Sequence, residues 1–308
     1  MFTIEAEERC GHLVSVEMKK LWSAQMEILR EIQRICQKHD IKYFAIEGTL
    51  LGAVRHRGFI PWDDDIDIGM YFEDYDRFCE VVKCELPEYY GFQHYSTQDG
   101  FNIGFARVRD TRTTAATKAD YELFLEDEGY NFGVFVDIFP LFDVPETTLQ
   151  KRRQQLKGAF SNFLKRGYTE EIRRRKGIDA AESKKQKLTF AACYYSWKIF
   201  GKFTTYKKAA HRRYKAMKMY KNSSRIGLTA FYGYLDKFIW DKSLFAETIE
   251  LPFEDMTITC PKEYDKILRK RYGDYEVFVK GGALHTFAVL DCDTPYCEKL
   301  KSHREKAE

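Results

Sequence analysis

Residues 58–70 read GFIPWDDDIDIGM, and this stretch restricts the fold of the chain more tightly than any other. It sets four aspartates, Asp63, Asp64, Asp65 and Asp67, among bulky apolar residues. A solvated acidic loop has no need of alternating isoleucines, and an ordinary buried strand excludes this many carboxylates. In an extended chain successive side chains alternate. Asp63, Asp65 and Asp67 then share one face, while Ile66 and Ile68 enter the core. Asp64 is expected to face away, at the solvated mouth of the strand. Clustered carboxylates raise one another's pKa, and a divalent cation removes that penalty.

The flanking sequence supplies the rest of a site. Leu21, Ile28, Leu29, Ile32, Ile35 and Cys36 recur at helical spacing, which predicts a helix over 14–39. IKYFAI (41–46) reads as a short strand ending in Glu47-Gly48-Thr49, with a short helix over 50–56 and another over 73–86. A strand that ends in Gly-Thr and opens a helix can present N–H groups and a hydroxyl to a phosphate. FNIGFARVRD (101–110) alternates so that Arg107 and Arg109 share a face. VFVDIFPLF (134–142) is a strand holding one aspartate, Asp137, which becomes the third carboxylate of the site if the two strands are neighbours. LPFEDMTITCP (251–261) reads as the last strand, followed by a helix over 262–275 that stops at Gly273. Alternating strands and helices predict an α+β chain, a mixed sheet with helices packed on it. Oxygen ligands of this kind suit Mg²⁺, which is held by one or two carboxylates plus substrate phosphates. Arg55, Arg107 and Arg109 are candidate phosphate partners, although an arginine on a strand face often only pairs with a neighbouring acid. His56 fits a phosphate or structural role, and Trp62 a packing role.

Composition bounds what the chain can be. At 308 residues, 44% hydrophobic and 16% aromatic, it is a folded protein and not a disordered tail. No run of eighteen apolar residues suggests a spanning helix. The start, MFTIEAEERCGHL, lacks the basic and apolar regions of a secretory signal, so a cytoplasmic protein is expected. The eight cysteines are scattered, without metal or disulfide spacing, and reduced thiols are expected. The net charge of +3 conceals an asymmetry. Residues 151–225 hold 23 Lys and Arg against 4 Asp and Glu, while the remainder holds 27 against 43. That contrast divides the chain into a core over 1–150, a basic helical insertion over 151–225 and a segment over 226–308 that completes the core. Within the insertion, 188–221 interleaves aromatic with basic residues, as in helices that lie on an anionic membrane surface. A helical subdomain with a solvated basic face has the same composition, and both readings stand. Nucleic acid is not expected as a partner, because the acidic remainder would repel a polyanion.

EGTLLGAVRHRGFIPWDDDIDIGM (47–70) resembles the signature of the LicD family, which includes bacterial phosphocholine transferases and is related to fukutin and the fukutin-related protein. VDIFPL (136–141), LPFE (251–254) and the P-x-x-Y-x-x-x-L-x-x-x-YGDY pattern from Pro261 to Tyr275 extend the resemblance. It implies a nucleotidyltransferase-like fold. Gly48 with Thr49 would bind the nucleotide, and Asp65, Asp67 and Asp137 would be catalytic. Asp63 would join them around Mg²⁺ or Mn²⁺, and Arg55, Arg107 and Arg109 would contact substrate. The implied reaction moves a phospho-alcohol, such as phosphocholine, from a CDP-activated donor to a hydroxyl of a cell-surface glycan such as a lipopolysaccharide or teichoic acid, releasing CMP. The glycan acceptor can be lipid-linked, which would suit peripheral contact at the inner face of the cell membrane. The same carboxylates would also serve a nucleotidyltransferase that attacks an NTP α-phosphate and releases pyrophosphate, or a non-catalytic nucleotide- or glycan-binding member. The zinc loop of the fukutin-related protein has no counterpart in this sequence.

Overall fold

A short hairpin, β1 (Glu7–Arg9) with β2 (His12–Val14), leads into α1 (Val16–Lys38). The computed structural model describes residues 2–101, 103–228, 236–283 and 285–305. Ser15 starts α1 by accepting the Met18 N–H at 3.2 Å, and Glu17 favours the positive end of the helix dipole. The predicted apolar stripe is buried, and each such Leu or Ile contributes about 1.5–3 kcal/mol. Past the helix, the Ile41 N–H still bonds the Cys36 carbonyl. The following strand, β3, is therefore only Phe44–Ala45, shorter than the expected 41–46. α2 (Glu47–His56) begins earlier than expected, so Gly48 and Thr49 lie in its first turn.

The acidic stretch is a strand only from Asp67. Pro61 has no N–H for a ladder, and the Asp63 N–H turns back to the Ile60 carbonyl at 2.8 Å. Residues 60–66 therefore form a turn and loop, and β4 spans Asp67–Tyr71 before α3 (Phe72–Glu85). Next come β5 (Tyr90–Gln93), β6 (Ala106–Asp110), β7 (Thr114–Thr117), α4 (Lys118–Phe124) and β8 (Val134–Asp143). β8 is the centre of the sheet. It runs parallel to β4 with Asp67 opposite Asp137, and antiparallel to β6 with Arg107 opposite Asp137.

Three helices follow: α5 (Thr148–Arg175), α6 (Lys184–Phe200) and α7 (Tyr206–Met217). They share a small core of Leu164, Trp197, Tyr206 and Ala209. α5 meets α6 closely at Gly167, where a Cβ would lie 2.2 Å from the Cys193 carbonyl oxygen. The chain then returns to the sheet as β9 (Arg225–Gly227), antiparallel to the end of β8, and β10 (Ile239–Asp241). Among the described residues this makes a mixed sheet of seven strands flanked by helices, as the alternation of elements implied.

Residues 251–261 are two strands and not one. Glu254 adopts a positive φ of 54° at the tip of a hairpin between β11 (Thr248–Phe253) and β12 (Met256–Pro261). α8 (Tyr264–Tyr272) stops at Gly273, whose φ of +74° suits glycine. A later strand, β13 (Phe287–Asp291), pairs with β7, so 251–261 is not the last strand. The final segment carries the chain back across the front of the acidic loop.

Candidate active site

The main chain of the acidic loop is fixed from behind. Trp22 Nε1 donates to the Asp63 carbonyl and Gln25 Nε2 to the Asp64 carbonyl, both at 2.8 Å. The Trp22 ring stacks on Phe59 with centroids 4.6 Å apart. The Asp137 N–H donates to the Ile66 carbonyl at 2.9 Å, which ties the loop to β8. Thr49 Oγ1 accepts the Asp67 N–H at 2.8 Å, so the first turn of α2 is locked to the start of β4. With its backbone tied at these points, the loop holds its carboxylates in set positions.

At Gly48 the first turn of α2 packs tightly against the loop. A Cβ there would stand 2.5 Å from Asp63 Oδ2, so the aspartate packs where any side chain would be. Asp67 and Asp137 sit in register on adjacent parallel strands. Arg107 closes the row with a bidentate fork on Asp137, Nε to Oδ1 at 2.5 Å and Nη2 to Oδ2 at 3.1 Å. Its guanidinium lies 3.8 Å from the centroid of the Phe135 ring. Gly48, Thr49, Asp63, Asp65, Asp67, Asp137 and Arg107 are thus brought together.

The other two arginines are held elsewhere. Arg109, with no exposed surface, donates to Gln93 Oε1 and the Gly133 carbonyl at 2.6 Å and to Asp120 at 3.2 Å. Arg55 donates to the Tyr275 carbonyl at 2.8 Å and to His56 Nε2 at 3.0 Å. Burial and the adjacent Arg55 cation push His56 down to about 4, so its imidazole is neutral and structural at pH 7. Trp62 packs edge-on to His12 and Phe278, as a packing residue would.

Asp64 overturns the expectation of a solvated position. Because 63–66 is a loop, strand alternation does not apply, and the side chain turns under it to become 1% exposed. It accepts the His285 N–H at 3.0 Å and faces His285 Nδ1 at 3.2 Å. The same Nδ1 is 3.5 Å from Asp65 Oδ2, so Asp64, Asp65 and His285 present ligand atoms all within 4.8 Å of one another. His285 carried no signal in the sequence. It is a lone histidine far down the chain, and only the return of the C-terminal segment across the loop brings it there. Glu47 was also overlooked as a site carboxylate. It has a positive φ of 46° and pairs with Arg271 of α8 at 2.6 Å.

The electrostatics follow from burial of like charges. Asp63 is pushed up to about 7, first by burial and then by the Asp64 charge. Asp65 and Asp67 are held well above the usual carboxylate range, by burial first and then by neighbouring charge, chiefly Asp63 for Asp65 and Asp65 with Asp137 for Asp67. Burial alone would lower His285, but its hydrogen bond to Asp64 and the Asp65 charge raise it. Hard oxygen donors gathered with too little positive charge around them match what Mg²⁺ or Mn²⁺ requires. The expected ligands Asp63, Asp65, Asp67 and Asp137 offer such oxygens, while the ligand atoms that converge within 4.8 Å among the described residues are those of Asp64, Asp65 and His285.

Residues 40–161 match the family model described as LicD/FKTN/FKRP, nucleotidyltransferase domain. That span contains every carboxylate of the site and excludes His285. Over 272 residues the chain is 29% identical to the lipopolysaccharide cholinephosphotransferase LicD of Haemophilus influenzae, covering 84% of this chain and 92% of that protein. Over 60 residues it is 38% identical to the ribitol 5-phosphate transferase FKRP of Homo sapiens, covering 20% of this chain and 12% of that protein.

Proposed function

Because residues 40–161 match the LicD/FKTN/FKRP nucleotidyltransferase-domain model, we propose that the protein is a metal-dependent phosphotransferase. It moves phosphocholine, or a related phospho-alcohol, from a CDP-activated donor to a hydroxyl of a cell-surface glycan. The observation that carries this reading is the row Asp67, Asp137 and Arg107 beside the Gly48–Thr49 turn. The similarity to a cholinephosphotransferase along 92% of that protein's length supports phosphocholine as the transferred group.

Asp65 and Asp67, with Asp63 and Asp137, would hold Mg²⁺ or Mn²⁺, which when bound supplies charge neutralisation on the diphosphate. The remaining work falls to the chain's own groups. The first turn of α2 directs N–H groups of Gly48 and Thr49 toward the nucleotide phosphate. Arg107 fixes the Asp137 carboxylate in one orientation. Asp137 would serve either as a further ligand of the ion or, within hydrogen-bond reach of the acceptor, to take the proton of the attacking hydroxyl. The glycan oxygen forms a bond to the phosphorus that carries the alcohol. The bond from that phosphorus to the bridging oxygen breaks, and CMP leaves with the electron pair. His285 holds Asp64 beneath the loop and partly balances Asp65.

No helix among the described residues is long and apolar enough to cross a membrane. Large apolar side chains are nevertheless exposed at Leu149, Leu156 and Phe160 on α5 and at Leu188, Tyr195 and Ile199 on α6. Both sets follow the same helical spacing, and Phe160 meets Phe200 edge-on at 5.8 Å, joining the two faces. Exposed Arg152, Arg153, Lys157 and Lys202 lie among them. This combination suits an anionic bilayer surface, the place where a lipid-linked acceptor would be met. The membrane-facing residues are on α5 and α6 in this reading, and not on α7.

The test is the purified protein with Mg²⁺ or Mn²⁺, a glycan acceptor extract and a panel of CDP-choline, CDP-ribitol, CDP-glycerol and CTP. CMP from one CDP-alcohol, abolished in Asp67→Asn, is the expected result. Pyrophosphate released from CTP would identify nucleotidyl transfer instead.

A further inference from the structure

A cavity of about 570 Å³ lies beyond Arg107, between α4 and the α5–α6 pair. Four cations, Arg107, Arg166, Arg173 and Lys185, line it against two acids, Asp120 and Glu170. Both acids are already engaged. Asp120 accepts from Arg109 and from Tyr130, and Glu170 accepts from Arg173 at 2.7 Å. Arg173 is only partly satisfied in return, since its Nε has no hydrogen-bond partner. Aromatic rings, Phe124 and Phe190 among them, complete the wall. Cations in excess of acids, together with apolar ring faces, make a pocket for a ligand that is anionic at one point and has flat C–H surfaces elsewhere.

Its position relative to the carboxylates gives it a role. At the level of Asp137 the strands run β4, β8, β6, carrying Asp67, Asp137 and Arg107 side by side. The Gly48–Thr49 turn contacts this row from the β4 side through Asp67. The cavity reaches it from the β6 side through Arg107, which both lines the cavity and grips Asp137. An in-line displacement at phosphorus needs the attacking and leaving oxygens on opposite sides. Two binding regions at opposite ends of one carboxylate row meet that requirement.

We propose that this cavity is the acceptor subsite and that it takes a sugar bearing an anionic substituent, a phosphate or a carboxylate. The assignment rests on the phosphotransfer reading for its role as acceptor subsite, and on the cavity's own charges for the class of ligand. Arg173, Arg166 and Lys185 bind the anionic group, the aromatic rings pack against the sugar, and Arg107 marks the end nearest the carboxylates.

The test measures binding without turnover, on the full chain, by calorimetry or ligand-observed NMR. The probes are glucose 6-phosphate, glucuronate and glucose, with CDP-choline plus Mg²⁺ measured in parallel. Glucose 6-phosphate and glucuronate are expected to bind more tightly than glucose. Glucose 6-phosphate should weaken roughly tenfold in Arg173→Gln, with partial recovery in Arg173→Lys. Arg166→Gln, on an exposed side chain, should weaken it without a risk to folding. CDP-choline affinity should be unchanged in these variants, and glucose 6-phosphate affinity unchanged in Asp67→Asn. Equal binding of glucose 6-phosphate by the wild type and both arginine variants would overturn the proposal, as would its displacement by CMP. Binding of the acidic sugars with none of CDP-choline would uphold the ligand class assigned to the cavity while removing the donor reading.

Discussion

The acidic loop at 63–67 and the basic helices α5 to α7 hold the chain's two charge excesses in opposite ways. In the loop, carboxylates are withdrawn from water and crowded together, with the backbone tied down by Trp22, Gln25 and Thr49. In the helices, most Lys and Arg side chains stay at the surface, above a small core that the three helices share. Buried like charges are unstable unless something compensates them, so their presence signals a ligand. Solvated charges are cheap to keep and act at long range on whatever approaches. In the proposed function one charge excess serves chemistry and the other encounter, and the contrast can be broken from either side.

The largest effect is expected where the loop's charge is compensated by protein. Arg107→Met would leave Asp137, which is 3% exposed, without its bidentate partner. Breaking a buried pair on one side costs about 3–5 kcal/mol, visible as a large drop in the urea midpoint. Arg107→Met combined with Asp137→Leu should recover most of that stability and none of the activity. If the single variant were as stable as the wild type, the pair would not be a buried one.

Asp67→Asn separates chemistry from stability. Turnover should fall by about 10²–10³, while the thermal midpoint at pH 8 in metal-free buffer holds or rises, because one of several repelling charges is gone. A coupled assay for CMP and a calorimetric scan of the same preparation decide this. A drop in both would mean that Asp67 is structural.

Gly48→Ala should come next, at roughly tenfold to a hundredfold in turnover, since the added Cβ must displace Asp63 from its place against α2. Gly177→Ala, where a Cβ would meet nothing within 4 Å but φ is +68°, is the control. It should lower stability by about 1 kcal/mol through backbone strain alone and leave kcat unchanged.

These sites differ in how far the sequence disclosed them. Asp67 and Asp137 were legible as site carboxylates, one from the aspartate cluster and the other as a lone carboxylate in an apolar run, while their pairing across adjacent strands comes from the structure. The helices α1, α3 and α8 were legible from periodicity and end signals. Asp64 was misjudged because alternation was extended through Pro61 into a segment that is a turn. His285 and the pairing of Arg109 with Gln93 were invisible. Both depend on contacts set by the path of the chain and not by local pattern. Local rules reach as far as the element, and the compensating partners of a buried charge come from outside it.

A smaller effect is expected from pH. Asp63 has a folded-state value of about 7, above its ordinary one near 4. The folded state then holds that proton more tightly than the unfolded chain. Its contribution to stability is fully present below about pH 4 and lost as pH rises through 7. His285 is also raised, so its contribution is lost in the same direction as pH climbs through its folded value. In metal-free buffer the thermal midpoint should fall between pH 5.5 and 8. Mg²⁺ should restore it more at pH 8, where there is no proton to displace. Equal stabilisation by Mg²⁺ at both values would argue against these carboxylates as its ligands.

The smallest effect, and the one that tests the helical side of the contrast, concerns membranes. Leu149 and Phe203 are 79% and 82% exposed, which is unusual for residues of this size unless something covers them. Each basic residue near an anionic surface contributes about 1 kcal/mol, a modest term that several of them sum to useful binding at low salt. The protein should therefore sediment with vesicles containing phosphatidylserine and remain in the supernatant with phosphatidylcholine alone. Binding should weaken several-fold in Leu156→Asp and with added salt, while turnover on a soluble acceptor stays the same. Loss of turnover in Leu156→Asp would mean that α5 supports the catalytic core directly. Absence of sedimentation with either vesicle would leave the basic helices as a solvated scaffold for the cavity behind Arg107, and their apolar face would need a different partner.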